Sequence, residues 1–431
     1  MLSPNEADLV RRDPAIPGLA TVLDPDAFAA ALRGAAPEAD LRSAQITYAR
    51  YKPQNHCRLA YRLDLAGAEL DADVRACRQD DLASWLEDHK KSGTAGPLGP
   101  GHLVHVVLED CAVLVSAFPN DLKLPGLWRL TNPNERNRLL SELLPDLPNL
   151  WQGELRCLRY RPERRYVAEL RGDGETAALL KSYTARAYGP AKRNASAFQS
   201  CGPLRIARPL GCSDSRSLLA FEWLPGRLLS ELWLEPELDC KAVTTTGAAL
   251  ALLHAQHPED LTLWTREAEA AELISLASEL GFICPRLARR TDELGRWLAA
   301  RLAGAPAIRR PVHGDFSAKQ VLVSQKELAI IDLDWACYGD PSDDLGNLIA
   351  QAERLALNGE ISPNRAELIG EALVEGYASA TYGSLPERIK LYTAVELFRR
   401  ARFPFRGREP DWPQRTEALL ERAAAISRKL M

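Results

Sequence analysis

Three aspartates at the two ends of one short predicted hairpin constrain this chain more than any other stretch of it. Apolar runs at Val321–Val323 and Leu328–Ile331 flank a polar turn, a pattern typical of a β-hairpin. Asp315 precedes the first run, and Asp332 and Asp334 follow the second. Because a hairpin brings its outer ends together, these carboxylates are predicted to share one site. Their mutual repulsion is tolerated where a divalent cation or a substrate proton is present.

Phosphoryl transfer is the chemistry that such a carboxylate site suits. The reaction needs a group that orients or deprotonates the attacking hydroxyl, and oxygen ligands for Mg²⁺ on the nucleotide phosphates. Asp315 is assigned as the base and Asp332 as the main metal ligand. Asp334 lies two residues further on, so on an extended segment it points the same way and supports the metal or contacts the acceptor.

The order of motifs around these acids resembles that of the aminoglycoside phosphotransferase family. H-G-D at 313–315 is followed by four residues, the amide-bearing Gln320, the hairpin, I-D at 331–332 and G-D-P-S-D-D-L-G at 339–346. The resemblance is strong over 310–350 and fair over 151–260. It implies an α+β, bilobal, protein kinase-like fold with a small antiparallel-sheet lobe and a large helical lobe. It also implies ATP and Mg²⁺ as cofactors and a small-molecule hydroxyl as acceptor.

The catalytic loop carries four further assignments. The family usually has Asn where this chain has Gln320, whose amide oxygen offers the same ligand on a longer side chain. His313 is expected to orient the loop through hydrogen bonds. Lys319 either neutralises charge on the transferring phosphoryl group or is a solvated loop lysine. Asp344 is expected to anchor the loop by accepting backbone N–H bonds.

The turn expected to cover the nucleotide phosphates contains no glycine. Strands are predicted at Leu155–Tyr160 and Tyr166–Arg171, and the turn between them reads R-P-E-R-R. Backbone amides approach phosphate less freely in such a turn than in a glycine-rich loop. Arg161, Arg164 and Arg165 either replace them with guanidinium contacts or form an exposed basic turn.

Lys181 lies in the predicted strand Ala177–Tyr183, where a lone lysine is costly unless it has a charged partner. The resemblance assigns the α- and β-phosphates of ATP to it. The helix that should supply a pairing acid, predicted at Pro190–Phe198, contains none, so the protein partner of Lys181 stays open. A hinge strand is predicted at Leu218–Trp223. The residues assigned to adenine through main-chain groups are Glu222, Trp223 and Leu224.

The rest of the chain divides into an N-terminal accessory (cap) domain at 1–150, the small lobe at 151–225 and the large lobe at 226–431. A cap before the small lobe resembles the layout of maltokinases. A partial repeat pairs A-R-Y-K-P at 49–53 with L-R-Y-R-P at 158–162, at an offset of 109 residues. Chance and a shared preference for this hairpin are both open explanations. In the large lobe, His254 is expected to be a packed core residue. An aromatic cluster at Phe398, Phe403, Phe405 and Trp412 either packs or lines an acceptor pocket.

Composition excludes several classes of function. A net charge of −4 gives no basic field for nucleic acid or an acidic membrane. The nine cysteines are scattered without C-x-x-C spacing, which favours reduced thiols in a cytoplasmic protein over zinc or disulfides. The first residues lack the apolar core of a signal peptide, and no apolar run is long enough to span a membrane. Oligomeric state and the identity of the acceptor stay open.

Three rival interpretations remain beside the small-molecule kinase. D-L-D at 332–334 is similar to an aspartyl-phosphatase motif, but Trp335 and Ala336 follow it where a hydroxyl residue is expected. A non-catalytic nucleotide-binding scaffold is favoured by Gln320, the missing helix acid and the glycine-free turn. The retention of both Asp315 and Asp332 argues against that scaffold. A protein acceptor is disfavoured because no separate activation segment lies between Asp332 and Gly339.

Overall fold

The computed structural model describes residues 1–66, 68–91, 105–124, 126–172, 177–325 and 327–430. Over these residues the protein is α+β, with two five-stranded antiparallel sheets in the N-terminal half and a largely helical C-terminal half. The sequence also predicts a Gly/Pro-rich loop at 92–101 and a G-D-G turn at 172–174. The loop and most of the turn lie outside the described residues.

The first sheet is preceded by three helices, and the sequence predicts the third at Pro25–Leu32 with Asp24 as its N-cap. The Asp24 carboxylate accepts hydrogen bonds from the backbone N–H groups of Asp26 (3.1 Å) and Ala27 (3.4 Å), and so caps that helix. The elements of this region are α1 (Pro4–Arg12), α2 (Leu19–Leu23), α3 (Pro25–Ala35), β1 (Leu41–Lys52), β2 (His56–Leu65), β3 (Ala68–Cys77), α4 (Leu82–Lys91), β4 (His105–Leu108) and β5 (Val113–Ala117). The strand order is β1-β2-β3-β5-β4. The sequence does not predict β3, because its alanines and acids have low strand propensity.

The second sheet follows two helices and has the order β6-β7-β8-β11-β10. Its region comprises α5 (Leu127–Thr131), α6 (Pro133–Leu143), β6 (Glu154–Arg161), β7 (Arg165–Arg171), β8 (Ala177–Tyr183), α7 (Ala185–Asn194), β9 (Leu204–Ile206), β10 (Pro209–Ser213) and β11 (Leu218–Glu222). The helix predicted at Pro190–Phe198 was placed too late in the chain. It begins after Thr184, whose hydroxyl caps Ala187 N at 3.3 Å, and Pro190 lies inside it.

The two sheets repeat one arrangement. Both run as three antiparallel neighbours, then a helix, then a hairpin whose second strand pairs with the third. The first hairpins match in register, since Lys52 pairs with His56 and Arg161 with Arg165, again 109 residues apart. The sequence repeat is therefore part of a larger structural repeat, which includes strands whose sequences do not resemble each other.

Two small sheets and nine helices form the C-terminal half of the described chain. The hairpin predicted between Asp315 and Asp332 is confirmed, with Val321 opposite Ile330. Its strands are β15 (Val321–Val323) and β16 (Leu328–Ile330), joined by β12 (Arg227–Leu228) and β9, while β13 (Thr262–Leu263), β14 (Arg310–Val312) and β17 (Cys337–Gly339) form the other sheet. The helices are α8 (Leu229–Leu232), α9 (Cys240–His254), α10 (Arg266–Ile283), α11 (Ala288–Ala303), α12 (Pro341–Leu357), α13 (Pro363–Ala380), α14 (Ile389–Arg400), α15 (Phe403–Arg406) and α16 (Trp412–Arg428).

The first sheet shares its apolar core with the C-terminal helices α10, α11, α14 and α16. The ring of Tyr51 lies 6.2 Å from that of Phe282 and 6.3 Å from that of Phe405. Arg408 donates to the carbonyl of Leu23 at 3.2 Å. The N-terminal region therefore packs on the helical half as well as beside the second sheet. Phe398, Phe405 and Trp412 are buried and serve this packing, whereas Phe403 is half-buried.

All nine cysteines fall within the described residues and are free thiols. None of the helices in the described ranges is both long and apolar enough to cross a membrane.

Candidate active site

The catalytic loop is fixed by one buried carboxylate. Asp344, at the start of α12, accepts the backbone N–H of His313 at 2.6 Å and that of Gly314 at 3.0 Å. His254 lies 2.9 Å from the same carboxylate and is buried, as predicted for a core histidine. Burial alone would raise the pKa of Asp344, but its hydrogen bonds and the nearby imidazoles lower it. The predicted anchoring role of Asp344 is confirmed.

Gly314 is required by the position of this loop. Its φ of +79° lies in the left-handed region, and a Cβ there would lie 2.4 Å from the carbonyl oxygen of Trp335. The loop that carries Asp315 therefore lies directly against the segment that carries Asp332 and Asp334.

His313 is fully buried and links the same two segments. Its Nε2 lies 2.9 Å from the carbonyl oxygen of Ile331, and its Nδ1 is 3.4 Å from the backbone N–H of Asp315. Such a ring has no access to a substrate. We therefore place His313 among the residues that position the loop, and not among proton donors or acceptors in the reaction.

The segment after the hairpin is not extended, contrary to the expectation for Asp334. Asp332 adopts φ +67°, and Leu333–Trp335 form a 3-10 turn. Nevertheless both carboxylates reach the same cations, because the left-handed residue redirects the chain. The side-chain amide of Asn194 in α7 holds the turn by donating to the carbonyls of residues 333, 334 and 336 at 3.2, 3.2 and 2.9 Å.

Two cations and two carboxylates form a buried quartet in the cleft. Lys181 Nζ lies 2.7 Å from Asp332 and 3.0 Å from Asp334. Arg165 donates to both oxygens of Asp332, at 2.7 and 3.0 Å, and to Asp334 at 2.6 Å. The hydroxyl of Tyr183 donates to Asp334 at 3.0 Å. We call Lys181, Arg165, Asp332 and Asp334 the cleft quartet.

The charges of the cleft quartet stabilise one another. Burial would raise the pKa of Asp332, but Lys181 and Arg165 hold it well below its usual range. Burial likewise acts to lower the pKa of Lys181, and the two carboxylates outweigh it. The protein partners of Lys181, open in the sequence, are thus these aspartates. Helix α7 contributes an amide, Asn194, where an acid was expected.

Asp315 lies beside the cleft quartet and is exposed to solvent. Crowding by protein atoms raises the pKa of its carboxyl; His313 opposes this effect, and the negative charge of Asp332 adds to it. Gln320 accepts a hydrogen bond on its side-chain oxygen from Ser317. Its main-chain carbonyl accepts the N–H of Ile331 at 2.9 Å, which keeps Gln320 next to Asp332.

Four basic side chains without an ion-pair partner among the described residues lie close to Asp315 or to one another. Burial and the charge of Arg165 lower the pKa of Arg159, while the negative charges of Asp332 and Asp315 partly oppose this effect. Lys319 is exposed, and burial of part of its side chain together with the charge of Arg159 lowers its pKa. Arg161 and Arg164 complete this group at the turn after β6. Arg159 was not among the predicted site residues, although its alternation with Arg161 along β6 is a usable signal.

The hinge differs from expectation in one respect. The backbone N–H of Glu222 is already bound to the carbonyl of Arg208 at 2.9 Å, and its carboxylate accepts from Arg205 at 2.8 Å. That N–H is therefore not free to form a hydrogen bond with adenine. Trp223 and Leu224 follow β11 in irregular, half-buried backbone, where their main-chain groups remain candidates for adenine.

The donor set in the cleft fits a magnesium ion shared with phosphates. Within the described ranges, no group of three or more His, Cys, Asp or Glu side chains is placed to hold a metal alone. Mg²⁺ in nucleotide sites is bound by one or two carboxylates together with phosphate oxygens and water. The carboxylate of Asp332 and the amide oxygen of Gln320 are protein ligands of the type that such a site uses.

Solved structures that are similar to this chain include two choline kinase-type proteins and an aminoglycoside phosphotransferase. A choline/ethanolamine kinase family protein from Mesorhizobium loti is 16% identical, with a TM-score of 0.45, covering 68% of this chain and 94% of that one. Choline kinase LicA from Streptococcus pneumoniae is 15% identical, with a TM-score of 0.46, over 67% and 97%. A thermostable mutant of aminoglycoside phosphotransferase APH(4)-Ia, in complex with ADP and hygromycin B, is 17% identical, with a TM-score of 0.47, over 67% and 98%. The comparison with curated protein sequences gave no match.

A family match covers the cleft. The family model described as "Phosphotransferase enzyme family" (APH) matches residues 163–392, more than half of the 431 residues. This match includes the cleft quartet, the catalytic loop and Asp344. It agrees with the predicted kinase-like α+β fold, whereas the maltokinase-like layout stays a prediction. The chain belongs to the phosphotransferase enzyme family and is a phosphotransferase that acts on a hydroxyl group.

Proposed function

We propose that this protein is an ATP- and Mg²⁺-dependent kinase of a small polar molecule, with Asp315 as the base and Asp332 as the main metal ligand. The observation that supports it best is the convergence in one cleft of Asp315, Asp332 and Lys181. These groups come from a loop, a post-hairpin turn and a strand up to 151 residues apart. We also propose the division into an accessory region at 1–150, a small lobe at 151–225 and a large lobe at 226–431.

Asp315 is proposed to accept the proton of the acceptor hydroxyl. Its carboxyl is exposed, whereas those of Asp332 and Asp334 are bound to cations. A raised pKa makes a carboxylate a stronger base, which suits this role at neutral pH. His313 and Asp344 keep the loop, and with it Asp315, in place.

Asp332 and Gln320 are proposed to bind the magnesium ion, with Asp334 in support. The ion neutralises charge on the nucleotide phosphates. The positive charge that the protein itself supplies comes from Lys181 and Arg165 inside the cleft, and from Arg159, Arg161, Arg164 and Lys319 at its mouth. Such preorganised charge stabilises the transferring phosphoryl group in a water-poor site.

The surroundings of Asp315 favour a neutral or acidic acceptor over a polycationic one. Arg159, Arg161 and Lys319 have no ion-pair partner among the described residues, so a cationic amino sugar would meet several like charges beside Asp315. Sugars, sugar acids and related polyols are therefore the first candidates, ahead of aminoglycosides.

The test is acceptor-dependent ADP release from ATP, measured with and without EDTA on a panel of sugars, sugar acids, amino alcohols and aminoglycosides. For the base, Asp315→Asn should lower kcat by about 10²–10⁴-fold and leave ATP affinity nearly unchanged. Asp214→Asn, which removes an exposed acid paired with Lys192, is the matched control. Turnover that persists in Asp315→Asn would refute the assigned base. Tight ATP binding without turnover on any acceptor would instead favour a non-catalytic scaffold.

A further inference from the structure

The turn between β6 and β7 is held from outside its own sheet. The side chain of Glu163, at the tip of this turn, is 3% exposed, and its Oε2 lies 2.6 Å from Arg75, 3.1 Å from Arg58 and 2.8 Å from Lys123. Arg58 and Arg75 belong to β2 and β3 of the first sheet. The contact therefore joins residues about 90–105 positions apart in sequence.

A second carboxylate fixes the backbone of the same turn. Asp121 accepts the N–H of Glu163 at 2.6 Å and the hydroxyl of Tyr160 at 2.8 Å. Glu163 has φ +48°, so the turn is bent by a non-glycine residue in the left-handed region. This conformation is costly for glutamate and persists because the surrounding bonds hold it.

The first hairpin shows the same arrangement without the charged tip. Asp13 accepts the hydroxyl of Tyr51 at 2.5 Å and the N–H of Gln54 at 2.8 Å, and Gln54 has φ +57°. Gln54 and Glu163 are the corresponding turn residues of the structural repeat. Only the second copy carries an acid there, and that acid is the one bound by the first sheet.

Arg75 occupies the sheet position that corresponds to Lys181. In the first sheet Arg75 pairs with Arg58, and in the second Lys181 pairs with Val167; residues 58 and 167 correspond at the offset of 109. On the other side Arg75 pairs with Leu114 and Lys181 with Leu219. The first sheet thus repeats the second sheet. Arg75, at the position that corresponds to Lys181, binds the turn between β6 and β7.

We propose that Glu163 is a positioning residue through which the first sheet fixes the turn over the nucleotide phosphates. Arg164 and Arg165 follow it directly, and Arg165 bonds to Asp332 and Asp334. The first sheet itself packs on the C-terminal helices, so the turn is fixed relative to the half of the chain that carries the catalytic loop. This anchoring replaces the adaptable backbone of a glycine-rich turn. The inference rests on the proposed function.

The test compares binding of ATP and of adenosine, each with Mg²⁺, by isothermal titration calorimetry on the full chain. Glu163→Gln and Arg75→Met should weaken ATP binding by about tenfold or more and leave adenosine binding unchanged, because the turn contacts phosphates and not the base. Arg75→Lys should restore most of the ATP affinity. Arg62→Met, which removes an exposed arginine paired with Asp71 on the same sheet, is the matched control.

The outcomes separate this inference from the proposed function. ATP affinity unchanged in both Glu163→Gln and Arg75→Met would overturn the positioning role. An equal loss for ATP and adenosine would overturn it as well, because it indicates a general defect of the fold. If thermal denaturation shows that Glu163→Gln does not fold, the ATP affinities of Arg75→Met and Arg75→Lys decide whether the positioning role holds. Wild-type protein that binds no ATP would overturn the proposed function, and the inference with it.

Discussion

Replacing Lys181 with methionine tests the cleft quartet directly. The Lys181 side chain is 6% exposed and those of Asp332 and Asp334 are 17% and 10% exposed, so the pairs are screened little by water. Removing one partner of a buried ion pair costs about 3–5 kcal/mol, because a charge remains buried without compensation. Here Arg165 still bonds to both carboxylates, so we expect a smaller loss, about 2–3 kcal/mol in the free energy of unfolding.

Urea unfolding without nucleotide measures this loss, and the matched control is Lys192→Met. Lys192 pairs with Asp214 on the surface, with side chains 41% and 69% exposed, and exposed pairs contribute about 0–1 kcal/mol. Equal stability of the two variants would refute the reasoning, as would a Lys181→Met variant as stable as the wild type.

The same variant has a defined pH dependence. Asp332 has a lowered pKa in the folded protein, so its ion pairs stabilise the fold fully above its unfolded pKa of about 4. That contribution is lost as the pH falls through the lower folded value. The difference between wild type and Lys181→Met should therefore be constant above about pH 5 and shrink below pH 4. A difference that grows on acidification would contradict this assignment.

Three further predictions concern stability. Partial burial and surrounding cations lower the pKa of His56 to about 4, so the fold should lose stability as the pH falls from about 6.5 towards 4. His56→Gln should flatten that slope in thermal denaturation, and an unchanged slope would contradict a neutral imidazole in the folded protein. Gly376→Ala places a Cβ 1.8 Å from the carbonyl oxygen of Thr244 and should cost about 1–3 kcal/mol, whereas Gly370→Ala on the same helix has its nearest neighbour at 3.8 Å and should be neutral or stabilising. Equal melting temperatures for the two glycine variants would show that α9 and α13 separate easily. Asn194→Leu removes three bonds to the turn after the catalytic hairpin and should cost about 2–3 kcal/mol in urea unfolding; a loss below about 0.5 kcal/mol would mean that the turn holds itself.

The local parts of the site were predictable because the signals are local. The hairpin that joins Asp315 to Asp332 follows from two apolar runs and a polar turn, and Asp344 follows from the spacing of G-D-P-S-D-D-L-G. The start of α7 was misplaced because Pro190 suggested an N-terminus, while Thr184 supplied the actual cap. The strand β3 was missed because its residues are poor strand formers, and its position is decided by pairing with β2 and β5.

The sequence by itself indicated the family, predicted that Asp315, Asp332 and Asp334 share one site, and contained the hairpin motif that recurs at an offset of 109 residues. Only the tertiary structure decided which charges meet. Lys181 pairs with two carboxylates 151 and 153 residues away, and Glu163 meets arginines of a different sheet. Such pairings depend on how whole sheets and helices pack, and no spacing along the chain encodes them. Ion pairs of this kind form only where packing has already brought the groups together and removed water from between them.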